Sequence, residues 1–163
     1  MATSGELKCA QCGVVSCKLE PGQKTPPGFC PAETSEDLLG EVRSTYLEEV
    51  EVRGLAVHAA RTEAAGYCKD TRVEEIMAYA RRIGAGHVGL ACCVGTQREA
   101  RLAQEILEAN GFRVSSVACK VGSIPKEEVG LTEEEKVRPG EFEALCNPIG
   151  QARLLAKAGT QLN

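Results

Sequence analysis

Two short apolar runs, HVGLACCV at residues 87–94 and FRVSSVAC at residues 112–119, flank a stretch with helical periodicity. That order constrains the chain more than any other feature. A strand followed by a helix of this length and a second strand packs as a parallel pair with the helix crossing over between them. HVGLACCV is almost continuously apolar, the pattern of a strand buried on both faces. The intervening helix opens at Thr96, with Glu99 completing an S/T-x-x-E capping box, and closes at Asn110-Gly111. Ala100, Ala103, Ile106 and Leu107 mark its apolar side.

Further elements follow from the same signals. Leu38, Leu39, Val42, Tyr46 and Leu47 fall at helical spacing, and Val50, Leu55, Val57 and Ala59 continue on a second helix ending near Gly66. Thr71 and Glu74 form a capping box ahead of Ile76, Met77, Tyr79, Ala80 and Ile83, with Gly84 and Gly86 as the stop. A third box pairs Thr132 with Glu135. Asn147-Pro148 opens a last helix carrying Ile149, Ala152, Leu154, Leu155 and Ala158, closed by Gly159. Helix should therefore exceed strand. The expected fold is α/β: a Rossmann-like strand-helix-strand with a small, mostly parallel sheet, preceded by a helical segment and a distinct N-terminal module.

Residues 1–33 are that module, and residues 34–163 the α/β domain. The module holds Pro21, Pro26, Pro27 and Pro31 and few large apolar side chains, too little to build a core. It carries instead four of the chain's nine cysteines, Cys9, Cys12, Cys17 and Cys30, spaced C-x2-C-x4-C-x12-C. A C-x2-C pair turns two sulfurs toward one ion, and Gly13 frees the backbone to bend beneath it. A bound metal would supply the cross-links that the segment lacks. The C-x2-C-G start suits zinc; the C-x2-C-x4-C…C-P order suits a [4Fe–4S] cluster. With four thiolates both carry the same net charge, so charge does not choose between them.

Compartment points the same way. The N-terminus MATSGELKC lacks the apolar stretch of a secretion signal, and no run of about 18 apolar residues offers a membrane span. The chain is expected in the cytoplasm, where thiols stay reduced and an odd count of cysteines argues against stapling by disulfides. Net charge is −4, with Lys and Arg dispersed, so nucleic acid is not an expected partner. An unknown small molecule or a redox protein is.

The remaining cysteines mark the ends of elements. Cys93 and Cys119 fall at the ends of the two strands, the sheet edge where open α/β folds build their sites. Cys146 precedes the Asn-Pro helix start, and Cys68 precedes the helix opened by Thr71. Cys68, Cys93, Cys119 and Cys146 thus form a candidate second, cofactor-binding thiol site, with Cys92 on the opposite face from Cys93. No P-loop, G-x-S-x-G or full G-x-G-x-x-G is present.

The stretches CAQCGVVSC with FCP, GYCKDTRVEEIMAYARRIGAGHVGLACCVG, EILEANGFRVSSVACKVGSIPKEEVGL and PGEFEALCNPIGQARLLAKAGTQLN carry a family likeness. The chain resembles a bacterial and archaeal family of uncharacterised metal-binding proteins, a domain of unknown function with a four-cysteine N-terminus. The resemblance implies metal binding by Cys9, Cys12, Cys17 and Cys30, no assigned reaction, and cysteines recurring at the positions of Cys68, Cys93, Cys119 and Cys146. It also implies a further strand after the last helix, ending in a cysteine and a Gly-His-Asp-like turn. The chain stops at Asn163, where that strand would begin, which leads us to expect a C-terminal truncation. The functional expectation is a cysteine-ligated zinc or iron–sulfur protein with redox or small-molecule chemistry at the sheet edge. The alternative is a partner-binding protein whose zinc is purely structural.

Overall fold

A computed structural model describes residues 7–163. The first six residues of the expected N-terminal module lie outside the described residues. The chain divides into two compact units, Met1–Val57 and His58–Asn163, a division that falls within a helix.

The first unit opens with two single 3₁₀ turns, Cys9–Gln11 and Ser16–Lys18. Pro31 starts a four-residue helix, α1 (Pro31–Thr34), with Cys30 at its N-cap in extended conformation. α2 (Glu36–Glu48) follows, then α3 (Val50–Gly66), whose second half belongs to the other unit. Both helices lie where the apolar spacing places them. Their apolar residues are nonetheless uncovered: Leu38 is 58% exposed and Tyr46 51%. No side chain among the described residues of this unit is buried.

The second unit has a core. α4 (Arg72–Arg82) begins with the expected capping box: the Thr71 N–H donates to Glu74 Oε2 at 2.7 Å, and the Glu74 N–H donates to Thr71 Oγ1 at 3.4 Å. The Thr71 N–H, and then its hydroxyl, hold the Glu74 carboxyl below the usual carboxylate range. β1 (His87–Cys92) and β2 (Arg113–Ala118) pair in parallel, His87 opposite Arg113 and Cys92 opposite Ala118, with α5 (Gln97–Ala109) between them in sequence. α6 (Pro148–Ala158) is capped by Asn147, whose Oδ1 accepts from the Gly150 N–H at 2.7 Å, and ends at Gly159 with φ 75°. Met77, Ala80, Ala85, Val88, Leu107 and Phe112 form the core cluster, and Leu155 of α6 is 2% exposed. The fold is mixed α/β, with six helices and one two-stranded parallel sheet among the described residues.

Three local expectations give way. β1 ends at Cys92 rather than residue 94, and only its first half is buried, since Ala91 is exposed. The Thr96–Glu99 capping box does not form: a 3₁₀ turn, Val94–Thr96, precedes α5, and the Thr96 hydroxyl donates back to the Cys93 carbonyl at 3.1 Å. α6 buries a different line from the one its apolar residues suggest. Ile149 is 67% exposed, whereas Gln151 and Leu155, one turn apart, are buried.

The far side of β1 is also engaged. Leu162 forms a parallel bridge to Val88, and the Gly89 N–H donates to the Leu162 carbonyl at 2.7 Å. Gly89 leaves room for the Asn163 side chain: a Cβ there would displace its oxygen and sit 3.2 Å from Thr160 Cγ2.

Candidate thiol sites

All nine cysteines are free thiols. Those of the first unit lie at its surface, Cys9 and Cys17 exposed, Cys12 and Cys30 half-buried. The turn after Cys12 is shaped around sulfur. Val15, a β-branched residue, has φ 49°, a left-handed conformation that costs energy in the absence of a compensating contact. In that conformation its N–H donates to Cys12 Sγ at 3.4 Å. Among the described residues, no group of three or more Cys, His, Asp or Glu stands together as a formed metal cage. The four sulfurs fit zinc or an iron–sulfur cluster by chemistry and spacing, and the segment has to draw them together to hold one.

The second unit places two thiols at the C-terminal edge of its sheet, with a third, Cys146, at the end of the loop that returns there; these three form no metal cage either. Cys93 directly follows β1 and Cys119 directly follows β2, each one residue beyond the last paired residues, Cys92 and Ala118. The Cys119 N–H donates to the Cys92 carbonyl at 2.8 Å and closes the last pair of the ladder. Cys93 and Cys146 are the neighbouring thiols that act on Cys119. Cys146 arrives by a long route, the loop of residues 120–146. That loop is closed where the Asn147 N–H donates to the Cys119 carbonyl at 2.7 Å and Asn147 Nδ2 donates to the Val121 carbonyl at 3.1 Å.

Backbone N–H groups of the turn that opens α5 face two of the sulfurs. Val94 donates to Cys119 Sγ at 3.5 Å and Gly95 to Cys93 Sγ at 3.4 Å. Cys93 is thereby the N-cap of that turn, its sulfur taking the place usually filled by a Ser or Asp oxygen. For Cys119 the bond from Val94 favours the charged form. Burial and the neighbouring Cys93 and Cys146 thiols outweigh it and push the Cys119 thiol above the ordinary cysteine range. Cys119 is buried, whereas Cys93 and Cys146 are exposed.

Cys68 occupies the corner between α3 and α4 with φ 55°. It lines a mainly apolar cavity of about 620 Å³, together with Tyr79, Val88, Leu90, Leu107 and Asn163. Cys92 opens on a different, polar cleft formed by β2 and α5, opposite in facing to Cys93 as strand alternation requires. His87 is buried at the other end of β1, its Nε2 2.9 Å from Ser115 Oγ, remote in sequence register from the sheet edge that holds the thiols.

Sequence reasoning missed the residue that braces the thiol edge. Gln151 is buried, and its Nε2 donates to the carbonyls of both Cys92, at 3.0 Å, and Val117, at 2.9 Å. One amide thus ties α6 to both strands one or two residues before Cys93 and Cys119. A glutamine in a helix reads as a solvated position, so no local signal distinguishes it.

A family model described as "Protein of unknown function (DUF1847)" matches residues 30–163. The chain belongs to this family. The model begins at Cys30, so Cys9, Cys12 and Cys17 precede the matched region. "Uncharacterized protein MJ0455" of Methanocaldococcus jannaschii is 34% identical over 157 residues, which cover 96% of this chain and 73% of that protein. No solved structure matches.

Proposed function

We propose that the chain is a cysteine-ligated metal protein of the reducing cytoplasm. Cys9, Cys12, Cys17 and Cys30 hold zinc or a [4Fe–4S] cluster. Cys93, Cys119 and Cys146 form a second thiol site for redox or small-molecule chemistry, at the edge of what we read as a Rossmann-like half-sheet. The observation that carries the reading is the contrast in the first unit: four thiols at the surface or half-exposed, and no buried side chain to organise the segment around them. Thiolates closing on a cation supply the missing cross-links, so binding and ordering of this segment are one event. Zinc would supply tetrahedral cross-linking; a cluster would add one-electron chemistry.

Anaerobic purification followed by metal and sulfide analysis and a visible spectrum tests this. One zinc ion or one [4Fe–4S] cluster per chain is expected, and Cys9→Ser with Cys12→Ser should abolish it. A chain that emerges metal-free and takes up neither added zinc nor iron with sulfide contradicts the reading.

A second reading rests on α2. Leu38, Leu39, Val42, Tyr46 and Leu47 are all exposed along it, which suits a partner-binding protein in which zinc only holds the N-terminus. A brown sample containing iron and sulfide would exclude that alternative.

A further inference from the structure

Cys93 and Cys119 each directly follow the last paired residues of the ladder, Cys92 and Ala118, where neighbouring parallel strands run about 4.8 Å apart. That separation lies within the roughly 4.4–6.8 Å between Cα atoms that a disulfide spans. One of the two sulfurs faces solvent and the other is buried. Each accepts an N–H bond from the turn opening α5, which fixes the direction of both side chains. Gln151 holds the backbone immediately before them.

We propose that Cys93 and Cys119 form a dithiol that exchanges with disulfide substrates, Cys93 attacking and Cys119 resolving. This rests on the reading of the sheet edge as a thiol redox site. The exposed Cys93 thiolate attacks one sulfur of a substrate disulfide. The substrate S–S bond breaks, a mixed disulfide forms, and the departing thiolate takes a proton from solvent. Cys119, deprotonated in turn, attacks Cys93 Sγ, and the second substrate thiolate leaves and is protonated. Two protein thiols are oxidised to one Cys93–Cys119 disulfide and one substrate disulfide is reduced to two thiols. Burial keeps Cys119 from meeting the substrate first. The Gly95 N–H bonded to Cys93 Sγ orients the attacking sulfur. Cys146 is the other thiol that acts on Cys119, but it sits at the end of the 120–146 loop rather than at a strand end, so it is not the required partner.

The test uses the full chain, reduced and freed of reductant under anaerobic conditions, then incubated with oxidised glutathione. Free thiols are alkylated at intervals and tryptic peptides mapped by mass spectrometry. Cys93, Cys119 and Cys146 fall in three separate peptides. The expected product is a link between the Cys93 and Cys119 peptides, preceded by glutathione on Cys93, with two glutathione thiols released per link. Cys146→Ser should leave the link intact. Cys119→Ser should stall with glutathione on Cys93, its release slowed at least tenfold. The unsubstituted chain supplies the same map if Cys119→Ser fails to fold. Glutathione that adds to Cys93 and is never displaced, or a link that omits Cys119, overturns the proposed pair while leaving a reactive thiol site. No reaction at Cys93, Cys119 or Cys146 overturns both the pair and the redox reading of that edge.

Discussion

The two units solve the problem of holding cysteines in opposite ways. In residues 7–57 the thiols lie on a segment with no buried side chain, and the apolar residues of α2 stay in solvent. In residues 58–163 the thiols sit at the ends of elements that a packed core already fixes. Under the proposed function the first arrangement leaves a ligand to organise the fold, whereas in the second the fold organises the thiols. The difference teaches where a metal-dependent and a metal-independent response should appear. It follows from whether burial or coordination supplies the cross-links.

Substitutions in the second unit should sharpen that contrast. Leu155→Ala removes the most deeply buried of its large side chains and should cost about 2–5 kcal/mol of that unit's stability. Measured by denaturant unfolding, this loss should leave metal content per chain unchanged. A smaller effect is expected from Gln151→Leu, which leaves the Cys92 and Val117 carbonyls without their amide partner and should cost about 1–3 kcal/mol. Its more telling readout is the rate of Cys93–Cys119 linkage by glutathione disulfide, which should fall with Gln151→Leu and remain unchanged with the exposed Ile149→Ala.

The weakest expected response is to acid. Lys136 holds the carboxyls of Glu127 and Glu133 below their usual range, and Lys126 does the same for Glu143. Glu127, and then Glu133, raise Lys136 in turn. The depressed carboxyls stabilise the folded loop above about pH 4, the ordinary carboxylate value, and that contribution is lost as pH falls through their lower folded values. The raised lysine contributes below its ordinary value and ceases to do so only as pH rises through the higher folded one. The 120–146 loop should therefore be tightest between these limits and loosen below pH 4. Alkylation of Cys146 should accelerate there relative to Cys93, once both rates are corrected for thiolate fraction.

Local chemistry was legible in the sequence, and chemistry that depends on the path of the chain was not. The Thr71–Glu74 box and the Asn147-Pro148 start each involve residues within four positions, and both form as read. The Thr96–Glu99 box has the same spacing and fails, because the Cys93 sulfur caps the preceding turn and redirects the Thr96 hydroxyl. The parallel pair forms as the strand-helix-strand order implies, and Cys93 and Cys119 follow its two ends. Cys146 joins them only because the 120–146 loop closes, through backbone bonds that no periodicity records. Cys68 has the same apparent credentials, a thiol before a helix start, yet the α3–α4 corner sends it to the apolar cavity. Gln151 was invisible because its partners are carbonyls of two distant strands.

Amide hydrogen exchange on the anaerobically prepared full chain, before and after chelation, addresses the comparison most directly. Stripping the ligand should speed exchange in residues 7–35 by about tenfold or more while α4, β1, β2 and α6 keep their protection. Equal protection of residues 7–35 with and without bound metal would contradict the account.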